Sequence, residues 1–423
     1  MKKFLSILLA AMMLMSLIAC GDKSAVIDAD ETATPASGEK IVLHYLDAAA
    51  YGVDEFDAMV EQFEAENPNI DVQVEHIAND IITQLAAKLN SNQLPDIFAT
   101  NTGNETARYS EYAYDFTGNP LLDKLKDSAL ATSNHTDGKV LSVPMSFETM
   151  GMLYNKDVFE KNGITELPKT ISELRAVCEK LKANGQTAFA VAAKEGWVLN
   201  QLSTHFMVPQ DPDPDKVAQG LLDGTYTMDT LKNFSGLYDV LDLMIEYGPD
   251  KPLEYDWEMS ETALVNGDCA MIQMGDWCYQ ALKSFNPDAN VGMMLVPTSE
   301  NPDEAFLQNN ISWQLNVNKN SKHVDAAVKF VDYILTSKPG VEWFMRYHGS
   351  VPSAKETYGF ENVNTLAASA AEYADQTVRM LQHSEPAEVM NGVGPELQAY
   401  MLGQTTKEKS IAAVQALWDS VAE

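Results

Sequence analysis

The sequence predicts an α/β protein of about two domains, built from mostly parallel sheets flanked by helices. Three observations lead there. A chain of 423 residues is too long for a single hydrophobic core. Short runs with period-two alternation repeatedly give way to longer runs with helical spacing, the pattern of strands joined by crossover helices. No stretch beyond the first twenty residues is long and apolar enough to span a bilayer.

Taken in order, the chain opens with "MKKFLSILLAAMMLMSLIAC", two lysines followed by a short apolar run and a small-residue site. This reads as a secretory signal peptide over 1–19. Its end, Leu17-Ile18-Ala19-Cys20 before Gly21, resembles the lipobox of bacterial lipoproteins, which implies lipidation of Cys20. Residues 20–39 continue as "CGDKSAVIDADETATPASGE", small and acidic, a flexible tether with too little apolar surface to fold.

The folded part begins with a strand at Ile41 to Leu46. A helix follows with Phe56, Met59, Val60 and Phe63 on one face, stopped by Asn67-Pro68. Ile70, Val72 and Val74 alternate as a second strand, and Ile82, Leu85, Ala86 and Leu89 mark a second helix. Asp96 to Thr100 completes β-α-β-α-β. Farther on, Met150 to Tyr154 is strand-like, and "TISELRAVCEKLKANG" places Leu174, Val177, Cys178 and Leu181 on one helical face, with Gly185 as its cap. "TAFAVAA" reads as a strand and Leu231 to Tyr247 as a helix. "LVNGDCAMIQMGDWCYQALKSFN", residues 264 to 286, turns from an apolar strand into a helix through Gly275-Asp276-Trp277. "ISWQLNV" is a strand, the next helix buries Ala327, Val328, Val331 and Ile334, and the Ala-rich remainder from about 361 is helical.

The charge narrows the partners. Lys plus Arg number 29 against 61 Asp plus Glu, a formal net charge of −32, which repels phosphate backbones and leaves no basic stripe, so nucleic acid is excluded as a partner. Cys269 and Cys278 bracket the Gly275-Asp276-Trp277 turn. An extended run between them puts their Cα atoms beyond the roughly 7 Å that a disulfide spans, so buried thiols are expected.

The familiar catalytic signatures are missing. The sequence has no G-x-S-x-G elbow, no H-E-x-x-H and no phosphate-binding P-loop. Gly392-Val393-Gly394 lacks the third glycine of a dinucleotide fingerprint, and the histidines are scattered. No metal or other cofactor is expected, since no oxygen-rich cluster has calcium-loop spacing. What recurs is a location. Asp47 to Tyr51, Thr100 to Asn104 and Gly275 to Trp277 all follow strands, at the end where open α/β sheets bind ligands. Aromatic faces beside carboxylates and amides suit a sugar, which has apolar C–H faces and a rim of hydroxyls.

In this order, "FEAENPNIDVQV", "QLPDIFA", "DGKVLSVPMSFETMGMLYNKDVFEKNGITELPKTISEL", "GDCAMIQMGDW" and "VNKNSKHVDAAVKFVDYILTS" with "GSVPS" resemble the extracellular solute-binding proteins of carbohydrate ABC importers, the maltose-binding-protein-like group. The resemblance implies a two-lobe periplasmic-binding-protein-like fold with the ligand cleft between lobes. Lobe 1 is expected at 40–147 plus 313–358 and lobe 2 at 148–312 plus 359–423. Two or three crossings, near Phe147-Glu148, Ser312-Trp313 and 355–362, would form the hinge.

The resemblance also implies roles. Glu148 is a hydroxyl acceptor at the first crossing, Trp277 in the Gly-x-Trp turn stacks on a sugar face, and Trp197 is a second-lobe aromatic reaching the cleft. Trp313 stands at the second crossing as either ligand contact or core. Asp47, Tyr51 and Asn101 come from strand ends and resemblance together. Asp276 either meets ligand or caps the helix behind it. Where many relatives carry a Trp in the first strand, this chain has Tyr45 and small residues.

The expected protein is a receptor rather than an enzyme, a lipid-anchored monomer on the outer side of the cell membrane. It would carry a sugar or short oligosaccharide to the permease subunits of an ABC transporter. Two other readings stand beside it: the same receptor for an amine, peptide or chelate, and a secreted glycoside hydrolase using Glu148 and Asp276 as its carboxylate pair.

Overall fold

The computed structural model describes residues 40–422 apart from 49–51, 78–80, 212, 312, 360–363 and 382–383. The signal peptide, the tether with Cys20, and the candidate contact Tyr51 therefore lie outside the described residues, as does Ser312.

The chain starts as the periodicities predict. Strand β1 (Ile41–Asp47), helix α1 (Val53–Glu66), β2 (Ile70–His76), α2 (Ile81–Asn90) and β3 (Ile97–Asn101) form the β-α-β-α-β unit, and β1 pairs in parallel with both β2 and β3. Helix α1 buries Phe56, Met59, Val60 and Phe63. In α2 the buried face is Ile81 and Leu85, turned slightly from the predicted one. Short helices α3 (Asn104–Arg108) and α4 (Asp127–Leu130), a small hairpin of β4 (His135–Thr136) and β5 (Lys139–Val140), and β6 (Val143–Pro144) complete this part.

The chain then runs into β7 (Ser146–Asn155), α5 (Lys156–Lys161), α6 (Ile171–Ala183), β8 (Thr187–Phe189), α7 (Gly196–Met207), α8 (Pro214–Leu222), α9 (Phe234–Tyr247) and α10 (Trp257–Asn266). After these come β9 (Cys269–Gly275), α11 (Tyr279–Phe285), β10 (Val291–Met294) and β11 (Leu307–Ile311). It returns through β12 (Trp313–Val317), α12 (Val324–Thr336), α13 (Lys338–Glu342) and a π-helical turn, Trp343–His348, to β13 (Val351–Pro352). The last elements are α14 (Thr365–Ala371), β14 (Thr377–Arg379), α15 (Ala387–Met401) and α16 (Lys407–Val421). Strand β14 interrupts the C-terminal stretch that its alanines marked as wholly helical.

Two sheets result. The first has the order β2-β1-β3-β12-β6 and the second β14-β11-β7-β9-β8, with β10 and β13 also paired to β7. Each has its own core. Leu43, Phe56, Phe63, Phe98, Leu315 and Phe330 belong to the first. The second sheet is covered on both faces, by Met152, Leu174, Phe206, Leu241 and Trp418 in one cluster and Leu153, Leu264, Ile272 and Leu307 in another.

Strand direction departs from the mostly parallel expectation. β12 runs antiparallel to β3 and β6, and β7 runs antiparallel to β9, β10, β11 and β13. Two of these strands enter by direct crossings with one residue between: β7 follows β6, and β12 follows β11.

The first change of sheet falls at Met145, between β6 and β7, slightly earlier than Phe147-Glu148. Three segments bundle there. The Met145 amide donates to the Trp313 carbonyl at 3.0 Å and the Ser353 amide to the Met145 carbonyl at 3.1 Å. Ser353 Oγ reaches the Pro144 carbonyl at 2.7 Å, and Ser350 Oγ lies 2.8 Å from Ser146 Oγ.

Candidate functional site

The strand ends of both sheets meet at this bundle. Asn101, last residue of β3, stands register-opposite Trp313, first residue of β12. Both are half-buried. The next residue, Thr102, donates its hydroxyl to the Ile311 carbonyl of the second sheet at 2.5 Å and accepts from Gln314 Nε2 at 3.0 Å. The loop after β3 is thereby fixed against the second crossing.

Glu148 lies on β7 opposite Asn310 and is 6% exposed. Residues 148 and 149 occupy a gap. β7 pairs with β13 at Ser146 and Phe147 and with β9 from Met150 onward, so neither strand reaches Thr149 on that side. The Asp276 carboxylate fills the gap: its Oδ1 accepts the Thr149 amide at 2.9 Å. Asp276 is fully buried. Burial pushes its pKa well above the carboxylate range; the Thr149 amide pulls the other way and the charge of Glu148 adds to the rise. The amides of Asp276 and Trp277, at the start of the short helix, also pull its pKa downward. Through the Thr149 amide, Asp276 stitches the end of β9 to the hinge strand.

Gly275-Asp276-Trp277 has a second logic. A Cβ on Gly275 would stand 1.9 Å from Cζ3 of Trp277, because the indole lies over the glycine. Glycine is required so that the ring can fold back across the end of β9. Trp277 remains half-buried, with one flat face against the strand. The flanking Cys269 and Cys278 are free and buried, as expected, and Cys278 Sγ points at the Gly275 carbonyl, 3.1 Å away.

Asp47 turns inward. Its Oδ1 accepts from the Tyr45 hydroxyl at 2.7 Å and its Oδ2 lies 2.8 Å from His76 Nδ1. The register-opposite position of His76 on β2 causes this. Asp47 is fully buried, so its carboxylate supports the end of β1 and not an open surface. Asp57 lies 3.1 Å from the other ring nitrogen of His76. Burial of that ring opposes its protonation, but the two carboxylates prevail and raise its pKa above the ordinary value.

Trp197 stands at the start of helix α7 and is 36% exposed, the most open of the proposed aromatics among the described residues. The rest of α7 is unusual. Asn200, Gln201, Ser203, Thr204 and His205 are all buried, where a helix of this length ordinarily buries apolar residues. Thr204 Oγ1 donates to Gln308 Oε1 at 2.8 Å, and Asn200 Nδ2 to Glu385 Oε2 at 2.9 Å. Glu385 was missed from the sequence, where nothing marks it.

Gly349, in the "GSVPS" stretch, has φ +90° and sits against Tyr279 and the Asp276 carbonyl. It carries the chain from the π-helical turn toward β13 through a left-handed conformation that favours glycine. Among the described residues no group of His, Cys, Asp and Glu is arranged to hold a metal ion, and no described helix is long and apolar enough to cross a membrane.

The two sheets, each with its own core and joined by a bundle of crossings, place this chain in the two-lobe periplasmic-binding-protein class of fold. A solved structure of the solute-binding protein RafE in complex with raffinose has the same fold, with a TM-score of 0.78 at 20% identity over 91% of this chain and 100% of that one. The chain belongs to the family described as bacterial extracellular solute-binding protein, which matches residues 49–340. It is 26% identical over 318 residues to the multiple sugar-binding protein of Streptococcus mutans, spanning 72% of this chain and 74% of that one. It is also 22% identical over 405 residues to the sn-glycerol-3-phosphate-binding periplasmic protein UgpB of Escherichia coli, spanning 84% and 86%.

Proposed function

We propose that the chain captures a neutral sugar or short oligosaccharide between its lobes and delivers it to the permease of an ABC transporter, held on the outer face of the cell membrane through lipid on Cys20. The observation that carries this reading is the Trp277 ring, laid over Gly275 at the end of β9, where Gly275 pairs with Met150 two residues beyond Glu148 on β7. A flat apolar face next to a carboxylate matches a sugar ring and its hydroxyl rim. Trp313 and Asn101 supply the corresponding pair from the first lobe and Trp197 a second aromatic from the second lobe. The names of the relatives that bind sugars support the same class.

A phosphorylated ligand fits less well. Basic groups near the junction already have partners: Lys126 Nζ donates to the Pro352 carbonyl at 2.9 Å, and Arg379 lies 2.6 Å from Asp215. The absence of catalysis belongs to this proposal too. Asp276 is engaged with the Thr149 amide and fully buried, a poor half of a hydrolytic carboxylate pair with Glu148. An amine remains the second reading, favoured by the net charge of −32.

Capture works by closure: contacts from both lobes favour the closed arrangement in proportion to the ligand's differential affinity. The test is a thermal-shift screen of neutral mono- and oligosaccharides, polyamines and sn-glycerol 3-phosphate, since a ligand that binds only the folded state raises the midpoint. A neutral saccharide is expected to raise it. A response confined to amines or to the phosphate would overturn the reading.

A further inference from the structure

A chain of hydrogen bonds joins the lobes far in sequence from every crossing. Asn104 opens α3, three positions after Asn101, and its Nδ2 donates to the Glu385 backbone carbonyl at 3.1 Å. The Glu385 side chain turns the opposite way, into the second lobe, where Oε2 accepts from Asn200 Nδ2 at 2.9 Å. Asn200 and Glu385 are 0% and 2% exposed. Asn200 lies one turn along α7 from Trp197. The chain Asn104, Glu385, Asn200 therefore links the loop after Asn101 in one lobe to the helix of Trp197 in the other.

We propose that these three residues form a latch holding the lobes together across the cleft, with Glu385 as the positioning residue that fixes the carbonyl Asn104 grips. The Thr102–Ile311 bond adjoins a crossing and is retained in any hinge position that preserves the crossing. Asn104–Glu385 has no such tie and must break when the lobes part. A buried carboxyl with a single amide donor is an unusual way to anchor a backbone segment, because burial strongly favours its neutral form. Burial does push the Glu385 acid up to about 8, against the pull of Asn200. Its Oε1 has no partner among the described residues. A neutral acid needs no counter-ion, and one amide suffices to orient it.

The latch joins residues of this chain alone, so its test does not depend on which ligand the cleft takes. Small-angle X-ray scattering of the ligand-free mature protein would be compared for wild type, Asn104→Ala, Glu385→Ala and Glu385→Gln, with thermal midpoints measured in parallel. Loss of one such hydrogen bond raises the open-to-closed ratio about fivefold, read as a larger radius of gyration. Asn104→Ala and Glu385→Ala are expected to expand, while Glu385→Gln, which keeps a neutral acceptor for Asn200, stays as compact as wild type. Asn104→Ala scattering like wild type would overturn the latch. Glu385→Gln expanding as far as Glu385→Ala would overturn the positioning role. If Glu385→Ala fails to fold, the exposed Asn104 variant decides alone. A failure of every saccharide to bind would bear on the proposed function and leave this result standing.

Discussion

The Asp276 carboxylate accepts the amide of Thr149 at 2.9 Å, at the position on β7 that β9 and β13 both leave uncovered. A side chain thus substitutes for a missing strand neighbour beside Glu148. Because an unpaired buried amide is costly, Asp276→Ala should lower unfolding free energy by about 1–3 kcal/mol. Asp276→Asn keeps an acceptor and resembles the neutral acid that burial favours, so it should cost much less. Urea denaturation of the two variants checks this. Equal losses would mean that the charge, and not the acceptor, matters.

The Gly275–Trp277 stacking is equally testable. Gly275→Ala puts a methyl into the indole, which must swing off the strand, at a cost of about 1–3 kcal/mol from overpacking. Saccharide-induced thermal stabilisation should fall with it. A variant that keeps both stability and stabilisation would show that the ring has room to yield.

Trp197 and Trp277 differ in burial, and so should their alanine variants. Each is expected to weaken saccharide binding by about tenfold, the equivalent of about 1.4 kcal/mol of aromatic contact. Trp197→Ala should leave the thermal midpoint nearly unchanged because the side chain is 36% exposed. Titration calorimetry with the saccharide that responds in the thermal screen measures the first effect and calorimetric melting the second.

His76 between Asp47 and Asp57 makes stability depend on pH. Its folded pKa is raised, so the imidazolium contributes fully below the unfolded value of about 6.5 and the contribution is lost as pH rises through the folded value. The stability gap between wild type and His76→Asn should be widest near about pH 5.5 and narrow toward about pH 8.5. Urea midpoints across that range check the sign. A gap that grows with pH would mean that the neutral ring is the stabilising form.

Local pattern carried much of this protein in its sequence. The spacing of Phe56, Met59, Val60 and Phe63, and of Leu174, Val177, Cys178 and Leu181, named the buried faces of α1 and α6, because helical periodicity is a property of neighbouring residues. The strand end at Gly275 and its turn into a helix were legible for the same reason, and the ordered motifs pointed to the solute-binding family. The directions of β7 and β12 were not legible, since a hydrophobic strand reads alike whichever way its partner runs.

Only the tertiary structure decided which polar groups face inward. Asp47 and Asp276 looked like ligand acceptors at strand ends, but His76 and Thr149 claim them, the second from a segment far away in the chain. Glu385 gave no signal because its partners, Asn200 and Asn104, are brought to it by two different lobes. A carboxylate's role is set by the donors around it and by its distance from water, and both are fixed when the strands take their register and the lobes meet. The sequence by itself determined most of the elements and the kind of fold; long-range packing decided what each charged side chain touches.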